Sequence, residues 1–339
     1  MINRNNYHAL PCPCGSGKPF DECCFRPNNK KTGNPMDEVM HALHEAQQGR
    51  EFSSIEDANR FMQEFMIRQN TAPRDAFAGL SPTEMRSILA TPFDAAAIVT
   101  FADVLSQDPV SPVTTIFKVL ADAIGEKGLK PTATGNLPRN TVREISRAIN
   151  GTDTFGTKNT QYLIQKETDY FDLHITRLIA GLAGLIRKYK GRFMLTKKCR
   201  ALLDRHGIGG IWPELFRAYA EKYNWAYSDG YGELYFMQRS FLYTLYLLHR
   251  FGSEERDGLF YANAFLTAFP AFLDEIPPRY STSPDEIAIS SYLHRTIDRF
   301  AGFFGLAHVE KTEWKFSVDR IYKVRALPLL EDAIRFHVP

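Results

Sequence analysis

The sequence predicts a mainly α-helical body, interrupted by a few short β-hairpins and preceded by a compact cysteine-rich knot. Three observations carry that prediction: apolar residues recur at spacings of three and four along most of the chain, strand-like alternation is rare, and helix-start signals stand at defined positions. At 339 residues the chain is long enough for two or three domains with a sizeable core. Hydrophobic residues make up 44% and charged residues 24%, and 41 basic against 39 acidic side chains leave a net +2, which excludes a disordered, collagen-like or highly basic chain. The opening residues show no basic start followed by an apolar stretch, so a secretory signal is not expected. The most apolar run, from Leu178 to Ile186, is bounded by Arg177 and Arg187 and is far short of the ~20 residues a membrane-spanning helix needs. The expected location is cytoplasmic.

Taken in order, the first element is the cysteine knot. The chain has five cysteines, and four of them, Cys12, Cys14, Cys23 and Cys24, fall within thirteen residues in the pattern C-x-C-x8-C-C. In a reducing compartment such spacing points to a metal before a disulfide. Four thiolates suit a tetrahedral Zn²⁺ and leave no open position for water or substrate, so the expected zinc is structural. Gly15 and Gly17 suit a chain that turns tightly around a metal, and Phe20 would supply a small apolar plug. The competing reading, free thiols or a redox switch, leaves the adjacent cysteines and the glycine pattern without a purpose.

The run C-P-C-G-S-G-K from Cys12 to Lys18, the aromatic Phe20 and the closing Cys23-Cys24 pair resemble the SEC-C motif, the small zinc module at the C-terminus of the SecA translocation motor and of many otherwise unrelated bacterial proteins. That resemblance, over about residues 10–26, implies that Cys12, Cys14, Cys23 and Cys24 are the zinc ligands, with cysteine at the last position where the SecA form has histidine. Related modules commonly carry lysines before the closing pair; Pro19, Asp21 and Glu22 stand there in this chain, which argues against a basic docking face on the knuckle.

Residues 28–36 are polar with Gly and Pro and read as a linker between the 1–27 module and the body, which is expected to divide into helical regions 37–160 and 161–339. Val39, Leu43 and Ala46 form one apolar stripe, and Ser53-Ser54-Ile55-Glu56 starts a second helix carrying Phe61 and Phe65. Ser81-Pro82-Thr83-Glu84 supplies an N-cap, Pro at N1 and Glu at N3. Further helices are expected at 94–106, 111–125, 160–188, 212–224, 235–251 and 258–273. Gly207-Ile-Gly-Gly210 lacks the Lys-Ser/Thr of a phosphate loop and reads as a helix stop, with Pro213 opening the next helix. Three stretches, 127–137, 190–202 and 322–330, place a short extended run before a new helix, with Thr132 and Thr196 as caps; the third is expected to follow a two-stranded wing of Phe303–Lys311 with Glu313–Val318. Helix, hairpin and capped return helix is a winged-helix-like outline. Several phrases, Gly79-Leu-Ser-Pro-Thr-Glu among them, are similar to helical regions of uncharacterised prokaryotic proteins that carry a SEC-C motif or accompany plasmid-type open-reading-frame-three-like domains, a resemblance that implies no catalysis.

The strongest charge feature is 187–205, with Arg187, Lys188, Lys190, Arg192, Lys197, Lys198, Arg200 and Arg205 against the single acid Asp204. With Tyr189 and Phe193 beside them, these cations are a candidate nucleic-acid surface. Lys127, Lys130, Arg139, Arg143 and Arg147 are expected to extend it if both segments share a face. His41, His44 and Glu45 read as a surface helix. Asp169, Asp172 and His174 are the only acid–base group that a hydrolase reading can use. Cys199 reads as a packed turn residue, and the aromatics from Tyr227 to Tyr246 read as core. The expected function is binding: a zinc-containing adaptor engaging a protein or ribonucleoprotein partner through the SEC-C-like module. The alternative is a nucleic-acid-binding protein using 187–205, and a hydrolytic enzyme is the third reading.

Overall fold

The computed structural model describes residues 35–157, 160–277, 282–311 and 322–338. The cysteine module, the linker up to residue 34 and the expected strand Glu313–Val318 lie outside the described residues. In chain order the helices are α1 (Pro35–Gln47), α2 (Ile55–Thr71), α3 (Pro82–Ala90), α4 (Pro112–Ile124), α5 (Arg139–Asn150), α6 (Phe171–Leu182), α7 (Lys197–His206), α8 (Trp212–Glu221), α9 (Tyr235–Arg239), α10 (Phe241–Phe251), α11 (Gly258–Ala268), α12 (Pro284–Tyr292) and α13 (Pro328–Ala333). The strands are β1 (Val99–Phe101), β2 (Thr154–Thr157), β3 (Thr160–Leu163), β4 (Ile186–Tyr189), β5 (Arg192–Leu195), β6 (Arg256–Asp257), β7 (Ala307–Lys311), β8 (Tyr322–Ala326) and β9 (Ile334–Phe336). The fold is mainly helical with small antiparallel strand pairs. Among the described residues no helix is long and apolar enough to cross a membrane.

The described residues form two compact units, one within 35–98, 259–289 and 337–338, the other within 99–258 and 290–336. In the first, the expected start signals act as caps: Ser54 accepts from the Asp57 N–H, and Ser81 and Glu84 form a full capping box, with the Ser81 N–H donating to Glu84 Oε2 at 2.7 Å. These caps aim Phe61, Phe65, Met85 and Ile88 inward. His41 and Glu45 pair at 3.6 Å on exposed α1, the surface helix expected.

The second unit has an aromatic core. Trp212 and Phe216 stack at 4.9 Å, Tyr219 lies parallel to Phe300 at 5.7 Å, and the Trp212 indole N–H donates to the Phe304 carbonyl at 3.0 Å. Phe241, Tyr243 and Tyr246 on α10 are buried as expected, whereas Tyr227 and Tyr235 face solvent. Residues 293–302 form a π-helix, and within it Arg295, only 1% exposed, donates three hydrogen bonds that tie down a loop: to Asp229 Oδ2 at 2.6 Å, Asp229 Oδ1 at 2.8 Å and the Gly232 carbonyl at 2.6 Å. Burial pushes the Asp229 carboxyl up, but the Arg295 bonds outweigh it and hold the group below its ordinary range.

Several expected boundaries are corrected. Residues 94–106 contain turns and β1, which pairs with β9, because Val99-Thr100-Phe101 finds its edge partner far along the chain. The 160–188 helix is α6 alone, flanked by β3 and β4; Gly184 at φ 70 ends it, with the Leu185 N–H returning to the Ala180 carbonyl. Ser240 divides 235–251 into α9 and α10, and a 3₁₀ turn over Pro270–Glu275 replaces the end of 258–273. Thr132 caps a turn, accepting from the Asn136 N–H, and α5 starts at Arg139 after Pro138. The expected extended run at 322 is β8, which pairs with β7 and has β6 on its other edge. Gly207 at φ 59 and Pro213 do end one helix and open the next.

Candidate nucleic-acid interface

The stretch expected to be most basic folds as a hairpin and a helix start. β4 and β5 pair antiparallel, with Arg187 opposite Met194 and Tyr189 opposite Arg192, so these four share one face, while Ile186, Phe193 and Leu195 turn inward and are buried. The two turn residues, Lys190 at φ 47 and Gly191 at φ 73, both have positive φ, the requirement of a two-residue type I′ turn. Thr196 then caps α7 as expected, accepting from the Cys199 N–H at 3.1 Å. Capping fixes the direction in which Lys197, Lys198 and Arg200 leave the helix.

A single bridge extends the sheet's edge, since Leu129 pairs with Phe193 and exchanges both backbone hydrogen bonds with it, at 3.0 and 2.8 Å. Gly128 permits that approach: at φ 70, an added Cβ would lie 2.7 Å from the Phe193 carbonyl oxygen. Lys127 and Lys130 are thereby joined to the hairpin edge. The arginines of α5, expected to extend the stripe, each hold a partner in the segment that follows. Arg139 donates to Gln165 Oε1 at 3.4 Å, Arg143 to the Ile164 carbonyl at 2.7 Å, and Arg147 pairs with Asp153, so the row holds the segment after α5 in place.

Within 187–200 the cations divide in the same way. Arg192 donates to the Lys127 and Gly128 carbonyls, and Lys198 pairs with Glu214 at 2.6 Å. Arg187 and Lys190 lie over the Tyr189 ring, at 4.9 and 5.5 Å from its centroid. Lys188, Lys197 and Arg200 are exposed, and among the described residues none of the three makes a side-chain hydrogen bond or ion pair. Cys199 between them is fully buried on α7, in a helix and not a turn, and burial pushes its thiol up to about 11, which disfavours a nucleophilic thiolate.

Asp169, Asp172 and His174 are not brought together. Asp169 accepts from the Gln165 and Lys166 N–H groups. Asp172 opens into a cleft of about 540 Å³ also lined by Asp298, Arg299 and Lys311, where desolvation and the Asp298 charge raise its carboxyl. His174 is buried between Glu167, at 2.9 Å, and the Tyr227 hydroxyl, at 3.1 Å. Glu167, with no exposure, also accepts from Arg177 Nε at 2.6 Å and from the Leu137 N–H. Burial raises this carboxyl, but His174, Arg177 and the Leu137 amide together hold it below the usual glutamate range. The Glu167–His174–Arg177–Tyr227 hub was not legible in the sequence, because its members meet only through tertiary packing. Among the described residues no group of His, Cys, Asp and Glu is arranged to hold a metal.

Residues 109–208, which contain α4 to α7 and both hairpins between them, match the Y4jL N-terminal domain. No curated protein and no solved structure matches the chain. Residues 10–26 match the SEC-C motif, and the chain therefore carries that motif ahead of a helical body.

Proposed function

We propose that this chain is a cytoplasmic, zinc-carrying binding protein whose body contacts nucleic acid through the β4–β5 hairpin and the start of α7. The carrying observation is the exposed set Arg187, Lys188, Lys190, Lys197 and Arg200, of which Arg187 and Lys190 lie over Tyr189 and none has a carboxylate partner among the described residues. The element order supports the reading: α4, the Leu129 bridge, α5, α6 and the β4–β5 hairpin come in winged-helix order, with the β2–β3 hairpin inserted between α5 and α6. Lys190 supports it further. A lysine at φ 47 holds a conformation that favours Gly, Asn or Asp, so turn preference yields there to a charge at the hairpin tip. Phosphate neutralisation predicts binding that falls with salt at a log–log slope of about 0.9 per phosphate contacted on duplex DNA. Fluorescence anisotropy against labelled oligonucleotides tests this, and Lys197→Ala with Arg200→Ala should lower the slope by about 1–2. No binding at low ionic strength would end the proposal.

A second reading rests on the SEC-C motif at 10–26. Four closely spaced thiols are a donor set that suits structural zinc, and Cys12, Cys14, Cys23 and Cys24 would hold it. In this reading the knuckle is an independent docking module for a protein or ribonucleoprotein partner, and the body supplies the nucleic-acid contact. Deleting residues 1–30 should abolish partner capture while leaving the helical circular dichroism of the body intact; an unchanged partner set would remove the adaptor role.

A further inference from the structure

Resting on the nucleic-acid reading above, we infer that the hairpin surface binds single-stranded nucleic acid, with Tyr189 as a stacking platform for an unpaired base and Arg187 and Lys190, whose charges lie over its ring, holding the flanking phosphates. In a winged-helix reading α6, the helix directly before the β4–β5 hairpin, is the element that would enter a duplex groove. It is covered: Leu173, His174, Ile175, Thr176, Ile179 and Ala180 are all buried, and α6 packs on α4 and α8. Its exposed positions are Asp172, Gly181 and Leu182, an acid and two groups that cannot read a base edge, and its one arginine, Arg177, is held by Glu167. Nor do the α5 arginines offer a duplex backbone a free row, since each is bonded to the 153–165 segment.

What the surface does offer is exposed aromatic rings beside unpaired cations. Tyr189 is 49% exposed at the hairpin end, with the Arg187 guanidinium, itself a planar stacking group, 4.9 Å from its ring centroid. The β2–β3 hairpin presents a second pair: Phe155 and Tyr162 are cross-strand neighbours with centroids 5.9 Å apart, and Tyr162 is 59% exposed. A duplex hides its base faces in the stack, whereas a single strand turns them outward, where an aromatic side chain can stack on any base without reading its edges.

The experiment is fluorescence anisotropy of the full-length protein with three probes of about 15 nucleotides, a length near one single-strand site: oligo-dT, oligo-rU and a mixed-sequence duplex. Both single strands are expected to bind at least about tenfold more tightly than the duplex. Tyr189→Leu, which keeps apolar bulk and removes the aromatic face, should weaken single-strand binding roughly 5- to 150-fold, and Tyr189→Phe should retain it. Equal or tighter duplex binding, or a Tyr189→Leu variant that binds single strands unchanged, overturns the inference while leaving nucleic-acid binding in place. Binding to none of the three probes overturns both.

Discussion

Replacing Arg295 by Met removes the cation that pins residues 229–232 to the π-helix. The side chain is 1% exposed and Asp229 has no side-chain exposure, so no water replaces the three hydrogen bonds at 2.6, 2.8 and 2.6 Å. Methionine fills much of the volume but leaves the buried carboxylate with only the Tyr231 N–H and the charge of Arg299, and the Gly232 carbonyl without its donor. Breaking one partner of such a pair costs on the order of 3–5 kcal/mol, far above the value of a surface pair. At 2–4 °C per kcal/mol for a chain of this size class, the thermal midpoint followed by circular dichroism should fall by roughly 6–20 °C. Adding Asp229→Asn in the same background removes the stranded charge and should recover part of the loss. A midpoint within about 2 °C of the parent would show that the pair does not hold this loop, and a double variant less stable than Arg295→Met would refute the stranded-charge argument.

Glu167→Gln should cost on the order of 3 kcal/mol by urea unfolding, since Arg177 and His174 lose the charge that organises them. Because the folded Glu167 carboxyl lies below its ordinary 4.5, its stabilisation is complete above that pH and fades as pH falls through the folded value; the Gln variant should lack this acid limb. His294 has the opposite origin: burial and Arg299 outweigh the attraction of Asp298 and lower the ring from 6.5 to about 4. The unfolded chain therefore binds the extra proton first, and stability should drop by on the order of 3 kcal/mol as pH falls from 6.5 to 4, with no effect above 6.5 and no such slope in His294→Gln. Lys190→Asn should raise stability by on the order of 1 kcal/mol in a thermal melt while weakening oligonucleotide binding, as a strained tip cation predicts. Protein purified without chelator should contain about one zinc per chain by mass spectrometry of the metal, and its replacement by apo-protein after any Cys12, Cys14, Cys23 or Cys24 to Ser change would support the four-thiolate reading.

How far the sequence revealed the fold depended on the range of the forces involved. The α3 capping box was legible because Ser81, Pro82 and Glu84 act on one another within a single turn. The end of α6 was missed although Gly184 marks it, because the apolar run from Leu178 to Ile186 passes from helix to strand without a change in hydrophobicity. Three residues of β1 carry no periodicity at all. At the candidate interface the extended run of β5 and its Thr196 cap were legible, whereas most of β4 read as helix, and summed formal charge overstated the available surface. Arg139, Arg143 and Arg147 count as three charges in the sequence, yet two carbonyl or amide oxygens and one aspartate satisfy them in the fold. Glu167 and Tyr227 gave no local signal, since His174 meets Tyr227 across 53 residues.

The β1–β9 ladder also orders events in time. Val99 pairs with Phe336 and Phe101 with Ile334, partners about 235 residues apart. At a synthesis rate of roughly 5–20 residues per second, β1 emerges from the ribosome on the order of 10–50 s before the strand that covers it. During that interval Val99-Thr100-Phe101 is an open edge with unsatisfied N–H and C=O groups, able to recruit foreign strands. Its three-residue length limits that hazard, and a stop codon anywhere before Ile334 would make the open edge permanent. Late closure thus makes the last strand a checkpoint that a truncated chain fails.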